Sequence, residues 1–189
     1  AMALLAQPRF VNVFLGRLNS FVADNDLGDG QNVGEKATLA TQRALRRLRD
    51  EGRSRSLLIG ASVREGAQVA ALAGLDVLTM PTKAAGQYET DPASDPSSQV
   101  EIDPEIPLAE GVNLGNFNAT TLWEVPDVFQ ACVEGLLEED IDSMTPQDVQ
   151  SYFDRRGFED FLPEWSAEDV RTASEDGKIP GFETWRKRL

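Results

Sequence analysis

The stretch FVNVFLGR, Phe10–Arg17, determines the fold prediction for this chain, and LLIGASVR, Leu57–Arg64, repeats its pattern. Each is a short run of β-branched and other apolar residues that stops at a small residue and then presents an arginine. Such runs are typical of strands in a parallel sheet, and the second has the near-continuous apolar character of a strand buried on both faces. Because ligands bind at the carboxyl ends of parallel strands, we expect both arginines at a binding edge of an α/β protein.

Strand-like and helical segments alternate along the first half of the chain. Apolar residues at helical spacing predict a helix over Glu35–Glu51, and Gly52 is placed to end it. The other predicted segments are a strand Phe10–Leu15, a polar connection Leu18–Val33, a strand Ser56–Ala61, a helix Arg64–Ala73, a strand Asp76–Met80 and a helix Thr82–Tyr88. This order favours parallel strands joined by helical crossovers. Three such units are too few to close an eight-stranded barrel.

The second half of the chain is predicted to be a linker followed by helices. Its composition suggests an irregular linker over residues 91–121, which begins DPASDPSSQV. An apolar stripe that includes Val128 and Cys132 predicts the next helix, and Cys132 is read as a buried small hydrophobe rather than a reactive thiol. The predicted helices are Pro126 to about Glu139, Thr145 to Gly157, and Ser166 to near Gly177. We expect this aromatic-rich tail to pack on the first half, with a separate partner-binding module as the alternative.

Charge and composition exclude several classes of protein. Residues 1–90 carry 11 Lys+Arg against 9 Asp+Glu, and the rest of the chain carries 7 against 23. The acidic half argues against nucleic-acid binding; a solvated surface is expected there, with docking to a basic partner as the alternative. With no histidine and one cysteine, a zinc site and the Ser-His-Asp and Cys-His arrangements are excluded.

The same composition bears on the compartment. A single cysteine allows no intrachain disulfide and favours a reducing, cytoplasmic compartment. The sequence holds no run of about 18 apolar residues, and its AMALLAQ start lacks the basic region of a signal peptide, so we expect no membrane association.

Three motifs, in order, resemble the transaldolase family of class I Schiff-base aldolases. They are FVNVFLGR, GASVR at Gly60–Arg64 and LAGLDVLTMP at Leu72–Pro81. The family has similar segments at the sixth, seventh and eighth strands of its (β/α)8 barrel, and TLWEVPDVFQACVEGLLEEDID, Thr121–Asp142, is similar to its closing helix. The resemblance spans roughly residues 4–142. It implies a partial (β/α)8 barrel of about the last three βα units, followed by a mainly helical extension.

The resemblance also implies a division of the chain and a set of binding residues. Residues 1–90 would be the half-barrel, 91–121 a linker, 122–142 the closing helix and 143–189 an acidic helical tail. Sugar-phosphate binding would fall to Arg17, Arg64, Ser62, Asn12 and Phe14, with Arg64 as the main phosphate ligand because a guanidinium suits a bidentate contact. Asn12 stands where the family commonly has serine.

The resemblance does not extend to the catalytic groups of the family. Its Schiff-base lysine lies on the fourth strand and its acid/base carboxylates on the first and third, and this chain matches the family only from about the fifth helix. Lys83 is the only lysine near the predicted site edge, and it matches no catalytic position; Lys36, Lys178 and Lys187 lie elsewhere. We therefore assign no catalytic residue, cofactor or metal.

Three hypotheses for function follow. The chain is a transaldolase-like sugar-phosphate-binding protein, related to dihydroxyacetone transfer in the pentose phosphate pathway but incompetent alone, which a partner chain or a second copy completes. Alternatively, it is a non-catalytic interaction or regulatory protein that pairs or oligomerises through open strand edges. In the third, the aromatic tail replaces the missing barrel half and gives a new monomeric fold.

Overall fold

The computed structural model describes residues 2–90, 97–117, 119–159, 161 and 171. These residues form a mixed α/β fold with seven α-helices and a three-stranded parallel sheet. The helices are α1 (Met2–Leu5), α2 (Leu15–Asp24), α3 (Val33–Asp50), α4 (Gly66–Ala71), α5 (Thr82–Thr90), α6 (Asp127–Leu136) and α7 (Pro146–Asp154). The strands are β1 (Phe10–Phe14), β2 (Leu57–Ala61) and β3 (Val77–Leu78).

The chain divides into two compact units, Ala1–Val125 and Pro126–Leu189. Among the described residues, no helix is long and apolar enough to cross a membrane.

The three strands pair in the order of the sequence. β1 runs parallel to β2 in a register that joins Phe10 to Leu57 and Phe14 to Ala61, and β2 runs parallel to β3. The prediction of parallel strands joined by helical crossovers is thereby confirmed. The third strand is shorter than the predicted Asp76–Met80, because only Val77 and Leu78 are paired with β2 as a ladder.

One face of the sheet is covered by helices. Val11, Val13 and Leu58 pack against Leu45 of α3 and against α1, in an apolar cluster. Successive side chains of a strand point to opposite faces, so the alternate residues of β1 point away from α3. Phe10 and Phe14 on that second face are 41% and 47% exposed.

The segment after β1 corrects the sequence prediction. The polar connection expected over Leu18–Val33 is wrong for its first part, because the chain turns directly from β1 into α2. Leu15 and Val22 of α2 are buried. These apolar contacts stabilise the helix, although an Asp- and Gly-rich sequence follows it. The irregular connection is confined to residues 25–32.

Helix α3 holds part of the predicted linker in place through two basic side chains. Arg43 donates to the carbonyl oxygens of Val100 and Ile102 at 2.8 and 3.0 Å. Lys36 forms a 2.7 Å ion pair with Asp103. The described part of residues 97–125 contains two short 3-10 helices, Leu114–Phe117 and Ala119–Leu122.

The second unit has its own small core. Cys132 is buried, as predicted, and burial raises the pKa of its thiol despite the opposing charge of Arg156. The Tyr152 hydroxyl donates to the Cys132 carbonyl oxygen at 3.0 Å, which joins α7 to α6. The inclusion of Val128 in the buried stripe is wrong, since its side chain is 73% exposed at the first turn of α6.

Helix α7 begins as the sequence predicts. Thr145 is its N-cap, Pro146 its first residue, and Asp148 completes a capping box with Thr145. Hydrogen bonds from the Thr145 side chain and backbone lower the pKa of Asp148. The helix predicted from Ser166 to near Gly177 lies outside the described residues.

Candidate functional site

Ser62 and Arg64, two of the predicted residues, pack together beside Gly16 at the carboxyl ends of β1 and β2. Because Phe14 is in register with Ala61, the residues that follow each strand emerge side by side. A Cβ atom placed on Gly16 would lie 2.8 Å from Ser62 Oγ and 2.9 Å from Arg64 Nε, and closer still to the Ser62 carbonyl oxygen. The Arg64 side chain is therefore folded back over Gly16 and lies beside the Ser62 hydroxyl. Only a residue without a Cβ allows this approach.

Ser62 has an unusual backbone conformation. Its φ of +66° lies in the left-handed region, which costs a residue with a Cβ atom about 1 kcal/mol. This turn directly follows β2 and leads the chain to Arg64. Backbone strain of this kind is concentrated at ligand-binding positions, so its location supports a binding role for the turn.

Arg17 lies at the same edge, in the first turn of α2. Its guanidinium carbon is 5.2 Å from the centroid of the Phe14 ring, a cation–π contact on an exposed aromatic. Arg17 and Arg64 are both exposed, and neither forms an ion pair with a carboxylate of the described chain. In that part of the chain, these arginines are therefore not members of surface ion pairs.

Asn12 is separated from the other four residues. It lies in the middle of β1, opposite Ile59, and shares the open face of the sheet with Phe10 and Phe14. Two residues of a strand span about 7 Å, so Asn12 lies that far from Phe14 along the strand direction. The five predicted residues thus form a cationic group at the strand ends and an amide on the adjoining face.

A buried polar network lies behind the Arg64 turn, and the sequence patterns did not reveal it. Glu35 of α3 is only 5% exposed and accepts hydrogen bonds from Asn19 Nδ2 at 3.0 Å and Gln68 Nε2 at 2.6 Å. Gln68 Oε1 in turn accepts the Arg64 backbone N–H at 2.7 Å. Asn19 Oδ1 accepts the N–H of Gly34 at 2.7 Å. The network therefore fixes the backbone of Arg64 relative to α2 and α3.

Lys36 and Lys83 are the lysines that the described part of the chain contains. Lys83 is exposed at the start of α5, and Lys36 is held between Asp103 and the Trp123 ring, 5.6 Å from its centroid. Lys178 and Lys187 lie outside the described residues. In the described ranges, no group of three or more His, Cys, Asp or Glu side chains is arranged to hold a metal ion.

The opposite end of the strands carries a second polar cluster, with a different role. Asp76 precedes β3 and accepts hydrogen bonds from Gln42, from both terminal nitrogens of Arg49, and from the Leu58 N–H, all at 2.9 to 3.0 Å. Burial alone raises the pKa of Asp76, but these hydrogen bonds and the Arg49 charge outweigh it and lower the pKa. The groups of the cluster hydrogen-bond to one another, and the cluster lies at the amino end of the strands, so we assign it a role in stability.

Fold and site define a mixed α/β protein with a parallel sheet and a cationic edge. No protein-family model, curated protein or solved structure matches the chain.

Proposed function

We propose that the cationic edge binds the phosphate of a sugar phosphate, with Arg64 as the principal ligand and Ser62 and Arg17 beside it. The observation that carries the proposal is the packing of Arg64 and Ser62 around Gly16, at strand ends where neither arginine has a carboxylate partner in the described chain. A guanidinium donates two parallel hydrogen bonds to phosphate, and a serine hydroxyl adds a third.

The adjoining face supplies contacts for the sugar. The exposed Phe14 ring offers an apolar surface for the carbon skeleton, and Asn12 offers an amide donor and acceptor for hydroxyl groups. Both residues are on β1, which a rigid sheet pairing fixes relative to the Ser62 turn. This arrangement favours a phosphorylated sugar over inorganic phosphate alone.

The finer fold in this proposal is a partial (β/α)8 barrel, similar to the last three βα units of the transaldolase family. Consecutive parallel strands with helices packed on one face support it, because a doubly wound sheet carries helices on both faces. In a barrel the open face of β1 and β2 would point inward.

The proposed activity is limited by the chemistry of the chain. Dihydroxyacetone transfer needs a positioned lysine of lowered pKa, and Lys83, the lysine nearest the edge in sequence, is exposed. We therefore propose a sugar-phosphate-binding protein that is catalytically incompetent alone and is completed by another chain. The proposal places it in the cytoplasm, a reducing compartment that suits its single cysteine.

Calorimetric titration with fructose 6-phosphate tests the binding. We expect saturable binding that fructose does not reproduce, and a loss of at least about tenfold in affinity, about 1.4 kcal/mol, in Arg64→Ala. Arg47→Ala is the matched control, because Arg47 is an exposed arginine near the far end of α3. Equal losses of affinity in both variants would show that the loss comes from the change in net charge and not from Arg64 itself. Absence of binding to the unmodified chain would refute the proposal.

Borohydride trapping tests the catalytic part. After incubation with fructose 6-phosphate and borohydride, we expect the intact mass of the protein to be unchanged. A covalent adduct mapped to a lysine would show that the chain forms a Schiff base by itself.

A further inference from the structure

Strand β1 is an open edge of the sheet. The strand order places β1 and β3 at the two edges of the sheet. Because β3 has only two residues, it offers few backbone groups to an added strand. β1 has five residues, and no strand of the described chain pairs with its outer side. The Leu57 N–H donates to the Arg9 carbonyl at 3.0 Å. In a parallel strand pair, the backbone groups of successive residues point alternately toward the partner strand and away from it. Because the Arg9 carbonyl points toward β2, the N–H and C=O groups of Phe10 and Asn12 point away from β2.

An apolar cavity lies beside this edge on the helix-covered face. It has a volume of about 330 Å³, and its lining includes Val11 of β1, Leu45 and Leu48 of α3, Ala3 of α1 and Trp123. The Val11 side chain lies on the helix-covered face, whereas the side chains of Phe10 and Asn12 lie on the opposite face. A strand laid along β1 would direct every second side chain toward this cavity.

The other face of the edge carries two arginine–aromatic pairs. The Arg9 guanidinium carbon is 5.3 Å from the centroid of the exposed Phe10 ring, and Arg17 is 5.2 Å from that of Phe14. The two pairs lie at opposite ends of β1. The remaining side chains of an added strand would therefore meet apolar rings between two positive charges.

We propose that the β1 edge binds an extended segment of a partner protein as an added strand, apolar along its length and acidic near both ends. Backbone pairing with Phe10 and Asn12 gives the affinity, and the cavity and the two arginines give the selectivity. This inference goes beyond sugar-phosphate binding. It shares Asn12, Phe14 and Arg17 with the proposed sugar-phosphate site, but it holds without that site because it does not depend on Arg64 or Ser62.

Charge decides against a second copy of this chain as the occupant. Two β1 strands related by a twofold axis would pair antiparallel about Asn12, which brings Arg9 of each copy toward Arg17 of the other. Like charges placed opposite each other across a strand pair are destabilising. An acidic segment has the complementary charge at both ends.

The test uses capped synthetic peptides of about seven residues, the length needed to span β1 and both arginines. The probe alternates valine and threonine between terminal glutamates and carries a fluorophore for anisotropy with the full chain. We expect saturable binding at least about tenfold tighter than that of the same peptide with lysine at both ends. In Arg9→Glu, we expect this preference to shrink or reverse, whereas Arg47→Glu preserves it. Arg9 lies outside the sugar-phosphate residues, so fructose 6-phosphate binding is measured independently on the same variants.

Two N-methylated isomers of the peptide separate strand addition from simple apolar adhesion. Methylation of the amides that face β1 removes the backbone pairing, whereas methylation of the alternate amides leaves it. We expect one isomer to lose binding by at least about tenfold and the other to retain it. Equal binding by both isomers, absence of peptide binding, or self-association of the chain that the peptide reverses would each overturn the proposal.

Discussion

Gly16 is the residue on which the geometry of the candidate site depends most directly. A methyl group on its Cα would lie within 3 Å of the Ser62 carbonyl and hydroxyl oxygens and of Arg64 Nε, so it must displace the turn that carries the arginine. The Arg64 side chain is flexible and can yield, but the Ser62 carbonyl belongs to the backbone. A change of one methyl group therefore reaches Ser62 and Arg64, two of the three proposed phosphate ligands.

We predict that Gly16→Ala destabilises the protein by about 1–3 kcal/mol and weakens fructose 6-phosphate binding by about tenfold. Gly86→Ala is the matched control, since Gly86 lies in α5 and a methyl group on it would meet no atom within 4 Å beyond its chain neighbours and the backbone of its own helix. That substitution should stabilise the helix by about 0.5–1 kcal/mol and leave binding unchanged. Urea unfolding and calorimetric titration measure the two effects. Unchanged affinity in a folded Gly16→Ala protein would show that the Ser62–Arg64 turn is not the phosphate site.

Within the site, the sequence predicts the two arginines but not the polar network behind them. The strand-like runs predict Arg17 and Arg64 at one edge, whereas Ser62 follows only from the family resemblance, and Gly16 packs against the turn that holds Ser62 and Arg64. Glu35 gave no signal, because a glutamate in the first turn of a helix usually faces water. Its burial depends on Asn19 and Gln68, distant in sequence, which no local pattern connects.

At the scale of the elements, helix α3 was the easiest to predict and α2 the hardest. The apolar positions of α3 recur at helical spacing over its 18 residues, and Gly52 adopts the positive φ that ends a helix. Helix α2 begins with no linker after β1, and Phe14 serves as both the last strand residue and the N-cap. The helix was not predicted because its sequence overlaps the strand-like apolar run at one end and the polar sequence DNDLGDG, residues 24–30, at the other.

The contact between α3 and the amino ends of β2 and β3 gives a prediction at this scale. Asp76 joins these elements through Gln42, Arg49 and the Leu58 N–H, and these hydrogen bonds and the Arg49 charge outweigh the effect of burial and lower the pKa of Asp76 from its ordinary value. A carboxyl of lowered pKa adds stability at pH values above its unfolded value, and this stability is lost as the pH falls through the folded value. We expect Asp76→Asn to cost about 2–3 kcal/mol at pH 7, because it leaves the half-buried Arg49 without its charge partner.

The same substitution should flatten the acid response. Urea unfolding followed from pH 7 downward should show a smaller loss of stability below pH 3.8 in Asp76→Asn than in the unmodified chain. Asp103→Asn serves as the control, since Asp103 pairs with Lys36 at a side chain that is 64% exposed, and exposed pairs contribute under about 1 kcal/mol. If both variants lost equal stability, the Asp76 cluster would be no more than a surface ion pair.

For the whole molecule, all five predicted site residues and the proposed strand edge lie in the first unit. Asn12, Phe14, Arg17, Ser62 and Arg64 precede the division after Val125, as do Glu35, Asn19 and Gln68 behind them. The second unit has its own core around Cys132, Tyr152 and Phe153. The candidate site can therefore be tested in the first unit alone.

We predict that residues 1–125, expressed alone, fold and bind fructose 6-phosphate within about threefold of the affinity of the full chain, a difference of under about 0.7 kcal/mol. Circular dichroism and amide spectra establish folding, and calorimetric titration gives the affinity. Arg64→Ala in this shorter chain is the control and should show the same loss as in the full chain. A folded fragment that does not bind would show that the second unit supplies part of the site, while a fragment that does not fold would show that the first unit depends on the second for stability. Because the β1 edge is also in the first unit, the glutamate-ended peptide should bind the fragment and the full chain alike, which separates loss of the site from loss of the sheet.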